Sequence, residues 1–559
     1  FKYFRALIRL NLLNNLLTIL RNNTFKSLKI LNSIDLDQNK VSFLESNFFG
    51  DNYLNRLKQL TISRNRFQKL KNNFFTSFYF LKKLYLIRNQ ISIIEERTFS
   101  FLYSLEELDL SENCILNLDG KFLIANNLPF YGLNFVFKVN RNVIYKIGSD
   151  LMRNLGNTVK MLSLSNNQII YIDDDTFEMF NNNNLETLDL SGNRFKFLKK
   201  SYFTYLYGLQ SLILNMNHIE LIEDNSFINL QNLKTLDLSE NRLSQLSLNM
   251  FYGLTYVKTL NLAFNSIKYL NKSLLRVRDV QILNISNNLI EKLDLNEFSH
   301  MTSLYNIDLS NNPRIKLIYN LNNNIKKLIL NNDIEYLYLK NVSSDLIDSF
   351  SIEKFRYLAE IDISLNYFNK TFSFHDKTYL NKIILIQTSL NRIQLGSFAN
   401  KKELTVFDQS DNIFNKSIFN DTINLKNLRN LILRNTSLHK IENNINFSHI
   451  LNLLYLDLSL NRLESIRSFY FSSNMNLYHL NISHNRLEFI ESKSFVLGSL
   501  KELDLSFNKL KIFSDDFFFS MQKKSFNNLR LLNLSSNKLM EIRFCSREIR
   551  RINSQNNML

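Results

Sequence analysis

The side chains best suited to metal ligation or nucleophilic catalysis in this 559-residue chain are seven histidines and two cysteines, and their spacing supports neither chemistry. His218, His300, His375, His439, His449, His479 and His484 never stand at ligand spacing with a cysteine, and His479 with His484 reads as a solvated pair on one exposed face. Neither a glycine-rich phosphate loop nor a nucleophile elbow occurs in the sequence. No catalytic residue, metal site or cofactor is expected, which leaves recognition.

Recognition points to a recurring outward residue. Where two leucines flank one residue, as Leu236 and Leu238 flank Asp237, alternation along a strand buries the leucines and exposes the residue between them. The series begins Asn11, Asp35, Thr61, Tyr85, Asp109, Lys138, Ser163, Asp189, Ile213, Asp237, Asn261 and Asn284. It continues Asp308, Ile329, Asp362, Ile384, Asp408, Ile432, Asp457, Asn481, Asp504 and Asn533. No two aspartates are consecutive, as stacked strands require, because like charges directly opposite one another destabilise a sheet. From Asp308 to Asp457 the series alternates aspartate with isoleucine, and regularly spaced exposed apolar groups mark a protein interface. Tyr85, Ile329, Asp362, Ile384, Asp408, Ile432 and Asp457 are therefore the candidate partner-binding residues.

The elements that position them are set by a repeat. The pattern LxxLxLxxNxL returns about every 24 residues from Leu7 to Asn537, and a unit that short buries its apolar face only by stacking on its neighbours. The expected fold is an α/β solenoid of about 22 repeats with a parallel, concave sheet and an irregular convex side. An asparagine follows each strand where the chain turns away, and its amide both donates to and accepts from backbone groups of adjacent coils. This structural ladder includes Asn89, Asn113, Asn193, Asn217, Asn241, Asn265, Asn461, Asn485 and Asn508, with departures at Asp333, Thr388 and Thr436. A second row places phenylalanine ten residues later, at Phe25, Phe49, Phe75, Phe99, Phe177, Phe203, Phe227, Phe251, Phe298, Phe398, Phe471, Phe495 and Phe518. Those rings supply the second half of each coil with its own core.

The segment from Leu236 to Leu254 (LDLSENRLSQLSLNMFYGL) resembles the typical leucine-rich repeat of animal cell-surface and secreted proteins, the type found in Toll-like receptors, Slit and chaoptin. Cytosolic leucine-rich repeats more often carry proline in the second half, whereas Pro129 and Pro313 are the only prolines here and neither takes that slot. The resemblance implies a horseshoe-shaped binding module of a receptor or adhesion ectodomain, extracellular or at the cell surface. Its partner would be a protein ligand or co-receptor on the concave face, and a homodimer is compatible with it. An intracellular scaffold and a nucleic-acid-sensing ectodomain are the alternatives.

Residues 1–559 read as one domain, uncapped at both ends and so a fragment of a longer protein, with any membrane anchor outside it. Within it, 313–450 is irregular: the ladder gap from Asp333 to Asn366, with Tyr336, Leu337, Tyr338 and Leu339, suggests a compressed or inserted repeat. In receptor-type relatives such segments touch ligand, which makes this the leading contact region, against decay of the repeat without function. Insertions around Asn126, Asn127 and Pro129, and between Asn508 and Asn537, read as convex loops. Cys114 and Cys545 lie too many repeats apart for one disulfide and read as free thiols.

A net charge of +17 invites a nucleic-acid reading, but phosphates on the concave face would meet the aspartate series. Nucleic acid is therefore not the expected partner. Lys58, Arg64, Arg66, Lys82, Lys83 and Arg88 read as a solvated basic rim. Glycosylation sequons begin at Asn22, Asn271, Asn284, Asn341, Asn369, Asn415, Asn420, Asn435, Asn446, Asn481 and Asn533, a number that an asparagine-rich composition yields by chance.

Overall fold

The computed structural model describes residues 4–543 and 552–553, apart from 46–47, 49–55, 73, 77, 124–133, 156–157, 175, 181–183, 294–297, 299, 318–333, 343–354, 356, 368–370, 372, 375–376, 378, 389–397, 399–400, 414–424, 441–446, 448–449 and 519–527. Two compact units emerge, Phe1–Ile290 with His300–Ser303 and Glu291–Ser299 with Leu304–Leu559.

Each unit is a parallel-sheet solenoid. In the first, three-residue strands stack in register, so that Leu212, Leu236, Leu260 and Leu283 pair successively through Ser211–Ile213, Thr235–Asp237, Thr259–Asn261 and Ile282–Asn284. The second unit repeats the plan from Asn306–Asp308 to Ile552–Asn553. The middle residue of a strand and the one two positions on point inward: Leu236 and Leu238 are fully buried. Among the described residues the α-helix is confined to Ser149–Leu155, and elsewhere the return path uses short 3-10 turns. On the side of each coil away from the sheet, phenylalanine rings pack from coil to coil, Phe75 on Phe99 at 5.5 Å, Phe203 on Phe227 at 5.9 Å and Phe471 on Phe495 at 6.2 Å. These separations lie within the range of favourable aromatic pairs. Phe49 is outside the described residues, and it is Phe48 that packs on Phe25 there. Phe122, Phe374 and Phe447 join the row although the ten-residue spacing does not select them.

The asparagine ladder closes each coil onto the one before it. Asn241 donates from Nδ2 to the carbonyls of Leu214 in the preceding coil and Leu238 in its own, both at 3.0 Å, while its Oδ1 accepts from the Ile219 amide at 3.0 Å. Asn89, Asn113, Asn193, Asn217, Asn265, Asn461, Asn485 and Asn508 make the same bridge and are buried. The residue before the ladder position is left-handed in coil after coil, with φ 55° at Arg88, 53° at Glu240 and 57° at Leu460. Gly192 takes that place at φ 63°, where an added Cβ would sit 2.6 Å from Asn166 Oδ1.

The register corrects the reading of the central gap. Asp308 pairs with Tyr338 and Tyr338 with Asp362, so Tyr336–Tyr338 is an ordinary rung and the insertion precedes it. Asn312 bridges to Val342, which occupies the ladder position assigned above to Asp333. Ile329 and Asp333 lie outside the described residues, and it is Tyr338 that stands on the rung between Asp308 and Asp362. The error arose because leucines and isoleucines upstream of residue 334 mimic the repeat spacing.

The remaining departures are weaker joints. Thr388 and Thr436 donate from Oγ1 to the carbonyls of Leu385 and Leu433 in their own coils and from their backbone amides to Oδ1 of the next asparagine, but lack a side-chain amide to reach back to the carbonyls of Ile363 and Gln409. Between them Gln409 fills a core position held by Leu385 and Leu433 in the adjacent coils. It is 1% exposed, and among the described residues neither polar atom of its amide has a hydrogen-bond partner. Replacing Gln409 by Leu is expected to stabilise the second unit by about 2 kcal/mol, since a buried unpartnered amide costs that order; an unchanged or lower denaturation midpoint would contradict it. Asn241→Ala should cost about 2 kcal/mol and accelerate hydrogen exchange at the Ile219 amide, which loses its acceptor.

Candidate functional site

Parallel pairing lines the outward residues of the second unit into a single row, Asp308, Tyr338, Asp362, Ile384, Asp408, Ile432, Asp457, Asn481 and Asp504. Aspartate occupies every second rung. Each aspartate caps the turn that follows its strand, its Oδ1 accepting the amide of the serine two residues on: Ser310, Ser364 and Ser410 at 2.9 Å, Ser459 and Ser506 at 2.8 Å. The motif Asp-Leu-Ser of the repeat is thus a local turn device as well as a surface, a role that the strand-alternation argument did not find although the recurring serine signals it. Asp457 is only 7% exposed, whereas Asp362, Ile384, Asp408 and Ile432 are half-buried.

A second outward column escaped the sequence reading. Alternation exposes both the first and the third strand residue, so Tyr336, Glu360, Lys382, Val406, Asn430, Tyr455, His479 and Glu502 stand beside the row already described. Ile384 and Ile432 flank Asp408 on three successive strands, and Val406 lies in the neighbouring column between Lys382 and Asn430. On one flank Glu360 accepts from Tyr338 at 3.3 Å and pairs with Lys382 at 3.3 Å. On the other the Tyr455 ring stacks on His479 at 4.7 Å, and His479 Nδ1 lies 2.8 Å from Glu502. His484 instead stacks on Phe507 at 4.1 Å, so the two histidines are not a pair with each other. Burial, with help from Glu360, pushes the Tyr338 hydroxyl up to about 12, and burial and Asp457 raise that of Tyr455.

Tyr85 sits on the first unit in a tighter cluster. Its hydroxyl donates to Glu107 at 2.8 Å, and Lys138 donates to the other Glu107 oxygen at 2.7 Å. Burial alone would raise the Glu107 carboxyl, but the hydrogen bonds from Lys138 and Tyr85 outweigh it and hold it below the ordinary value. The Tyr85 hydroxyl is raised by burial and by the same carboxylate. This network ties three strands together. The basic rim is likewise not uniformly solvated: Lys82 pairs with Glu106, Lys83 with Glu107 and Arg88 with Glu112.

Among the described residues no three of His, Cys, Asp and Glu converge as metal ligands, and no helix is long and apolar enough to cross a membrane. Cys114 is an exposed free thiol, and Cys545 lies outside the described residues.

The leucine rich repeat family model matches residues 55–115, 183–243, 207–267, 255–313 and 475–539. No curated protein sequence matches the chain. Among solved structures, the chain is similar to a plant peptide hormone receptor, RGFR1 in complex with RGF2, at 19% identity and a TM-score of 0.47, covering 96% of this chain and 87% of that one. It is also similar to an internalin, InlF of Listeria monocytogenes, at 19% identity and a TM-score of 0.46, covering 58% of this chain and 87% of that one.

The carboxyl of Asp408 is raised chiefly by burial, opposed by the Ser410 hydroxyl and amide and reinforced by the charges of Asp362 and Asp457. A folded carboxyl harder to ionise than the unfolded one contributes stability that is complete below the unfolded value and is lost as pH rises through the folded one. Asp408→Asn, which keeps the acceptor for Ser410, is therefore expected to raise the thermal midpoint at neutral pH. The gain should shrink on acidification through the carboxylate range; a gain that grows in acid would contradict the assignment.

Proposed function

We propose that this leucine-rich-repeat solenoid is a protein-binding module that engages its partner through the central sheet face, and that it acts within a cell-surface receptor or adhesion ectodomain. The observation that carries the binding reading is the placement of half-buried Ile384, Val406 and Ile432 at outward positions of three successive strands, interleaved with the fixed carboxylate of Asp408. Because each flanking aspartate is already fixed by its serine amide, a partner meets a preorganised surface and association costs little ordering of this side. Asp362, Asp408 and Asp457 supply orientation, and the Tyr338 and Tyr455 rings close the two ends. Tyr85, tied into its own cluster with Glu107, takes a secondary place in this scheme.

The cell-surface setting is supported by the repeat type and by sequon asparagines at exposed positions, Asn22 and Asn271. Glycans on Asn284, Asn481 or Asn533 would instead stand on the sheet face, where all three are half-buried.

Expression of the full-length transcript in animal cells, followed by surface labelling and glycosidase treatment, tests the setting. A glycosidase-sensitive shift on surface material is expected, and an unglycosylated cytosolic product would make the intracellular scaffold the better reading. For the face itself, Ile384→Asp with Ile432→Asp should weaken capture of a cell-surface partner by about tenfold or more, the scale of losing an apolar anchor. Circular dichroism should remain unchanged, and undiminished capture by the folded double variant would sink the proposal.

A further inference from the structure

The residue before each rung's first outward position forms a column of its own, and in the first unit that column contains ion pairs between neighbouring coils. Lys82 pairs there with Glu106, and Lys160 with Glu186 at 3.3 Å. In the second unit Arg429 stands in the column between Thr405 and Leu454: its amide donates to the Thr405 carbonyl at 2.9 Å, and its carbonyl accepts from the Leu454 amide at 2.8 Å. Neither neighbour can neutralise it. The exposed guanidinium makes no ion pair or hydrogen bond among the described residues.

Arg429 lines a cavity of about 470 Å³ that runs along four successive coils. Pockets for drug-sized ligands span about 300–1,000 Å³. Asn427, Asn452 and Asn476 line the same cavity. Each donates from Nδ2 to a carbonyl of the coil before, Asn427 to Lys402 at 2.7 Å, Asn452 to Lys426 at 2.9 Å and Asn476 to Leu451 at 3.3 Å. That bond holds each amide in place and leaves its second N–H and its Oδ1 without a partner among the described residues. Glu403 and Thr405 bound one end, and Leu454 is the one apolar lining residue.

These groups select a ligand by its chemistry. A guanidinium without a partner suits a planar anion, which it grips through two parallel N–H donors. Amides with one donor and one acceptor to spare suit hydroxyl groups, which also do both. Lys402 and Lys426, exposed and tied to the cavity through the carbonyls that Asn427 and Asn452 engage, add positive charge, while Glu403 sets a negative charge at one end. One carboxylate is therefore accommodated and a polyanion is opposed. Nucleic acid would need aromatic side chains for its bases to stack on, and none lines the cavity. An apolar peptide would find Leu454 alone.

We infer that this cavity binds a short acidic oligosaccharide, with the carboxylate of one sugar on Arg429 and hydroxyls of that sugar and its neutral neighbours on Asn427, Asn452 and Asn476. Glu403 accepts from a hydroxyl at its own end. The site lies beside the outward rows of the sheet and does not depend on their docking role.

The test is titration of the whole chain, followed by saturation-transfer NMR, with sialyllactose and a hyaluronan tetrasaccharide. Lactose and the carboxyl-reduced tetrasaccharide serve as their neutral counterparts, and heparin and an oligoglutamate peptide as polyanions. At least one acidic probe is expected to bind about tenfold tighter than its neutral counterpart, the scale of one hydrogen-bonded charge pair. Arg429→Gln should remove that difference. So should Leu454→Glu, which gives Arg429 the partner that Glu106 gives Lys82. Both residues are exposed, so circular dichroism should not change. Lys258→Gln, which removes a charge from the same column in the first unit, should leave the binding intact. Failure of both acidic probes to bind, equal binding of the neutral counterparts, or a preference that survives in the Arg429 and Leu454 variants would overturn the inference. Tighter binding of heparin or oligoglutamate, or an equal loss in Lys258→Gln, would reduce the site to general surface basicity and overturn it as well.

Discussion

Every other feature of this molecule depends on the bridge made by one buried asparagine amide to the coil before it. A repeat of this size has too little apolar surface to fold alone, and strands of three residues make few hydrogen bonds apiece. By donating to two carbonyls and accepting one amide across the seam, Asn241 and its equivalents convert separate loops into a stack with a fixed translation. Each bridge is worth on the order of 1 kcal/mol net, and its value lies as much in leaving no buried backbone group unpaired. The left-handed residue before it, seen at Arg88, Glu240 and Leu460, is the local strain tolerated to aim that amide inward.

Because the ladder fixes translation, the outward residues inherit a fixed spacing. Side chains brought together by one coil-to-coil step then form clusters that belong to no single repeat: Tyr85 and Lys138 on Glu107, Tyr338 and Lys382 on Glu360, Tyr455 stacked on His479. The aspartates have two duties at once, since the oxygen that caps the turn also sets where the other oxygen stands. A surface built this way is rigid before any partner arrives.

The three joints where the ladder thins, Val342, Thr388 and Thr436, together with the amide of Gln409, which has no partner among the described residues, lie in the same stretch as outward Ile384, Val406 and Ile432. Each of these joints lacks a hydrogen bond that an ordinary asparagine rung makes. Sites of recognition commonly combine thinned joints with apolar outward residues, because a sequence serving a partner is released from serving the coil.

The sequence by itself determined the solenoid, the buried leucines, the asparagine ladder and most of the phenylalanine row, because each repeat's packing is local and its period is written many times over. It also made legible the alternation of aspartate with Ile384 and Ile432. The tertiary structure alone decided the register through the long central repeat, where Tyr338 takes the rung between Asp308 and Asp362, since a one-dimensional pattern cannot tell an insertion from a rung. It likewise decided which first-position residues, Glu360, Val406 and Tyr455 among them, complete the face. Their neighbours lie some 22 to 25 residues away in sequence and become adjacent only when hydrogen bonds between coils set one strand beside the next.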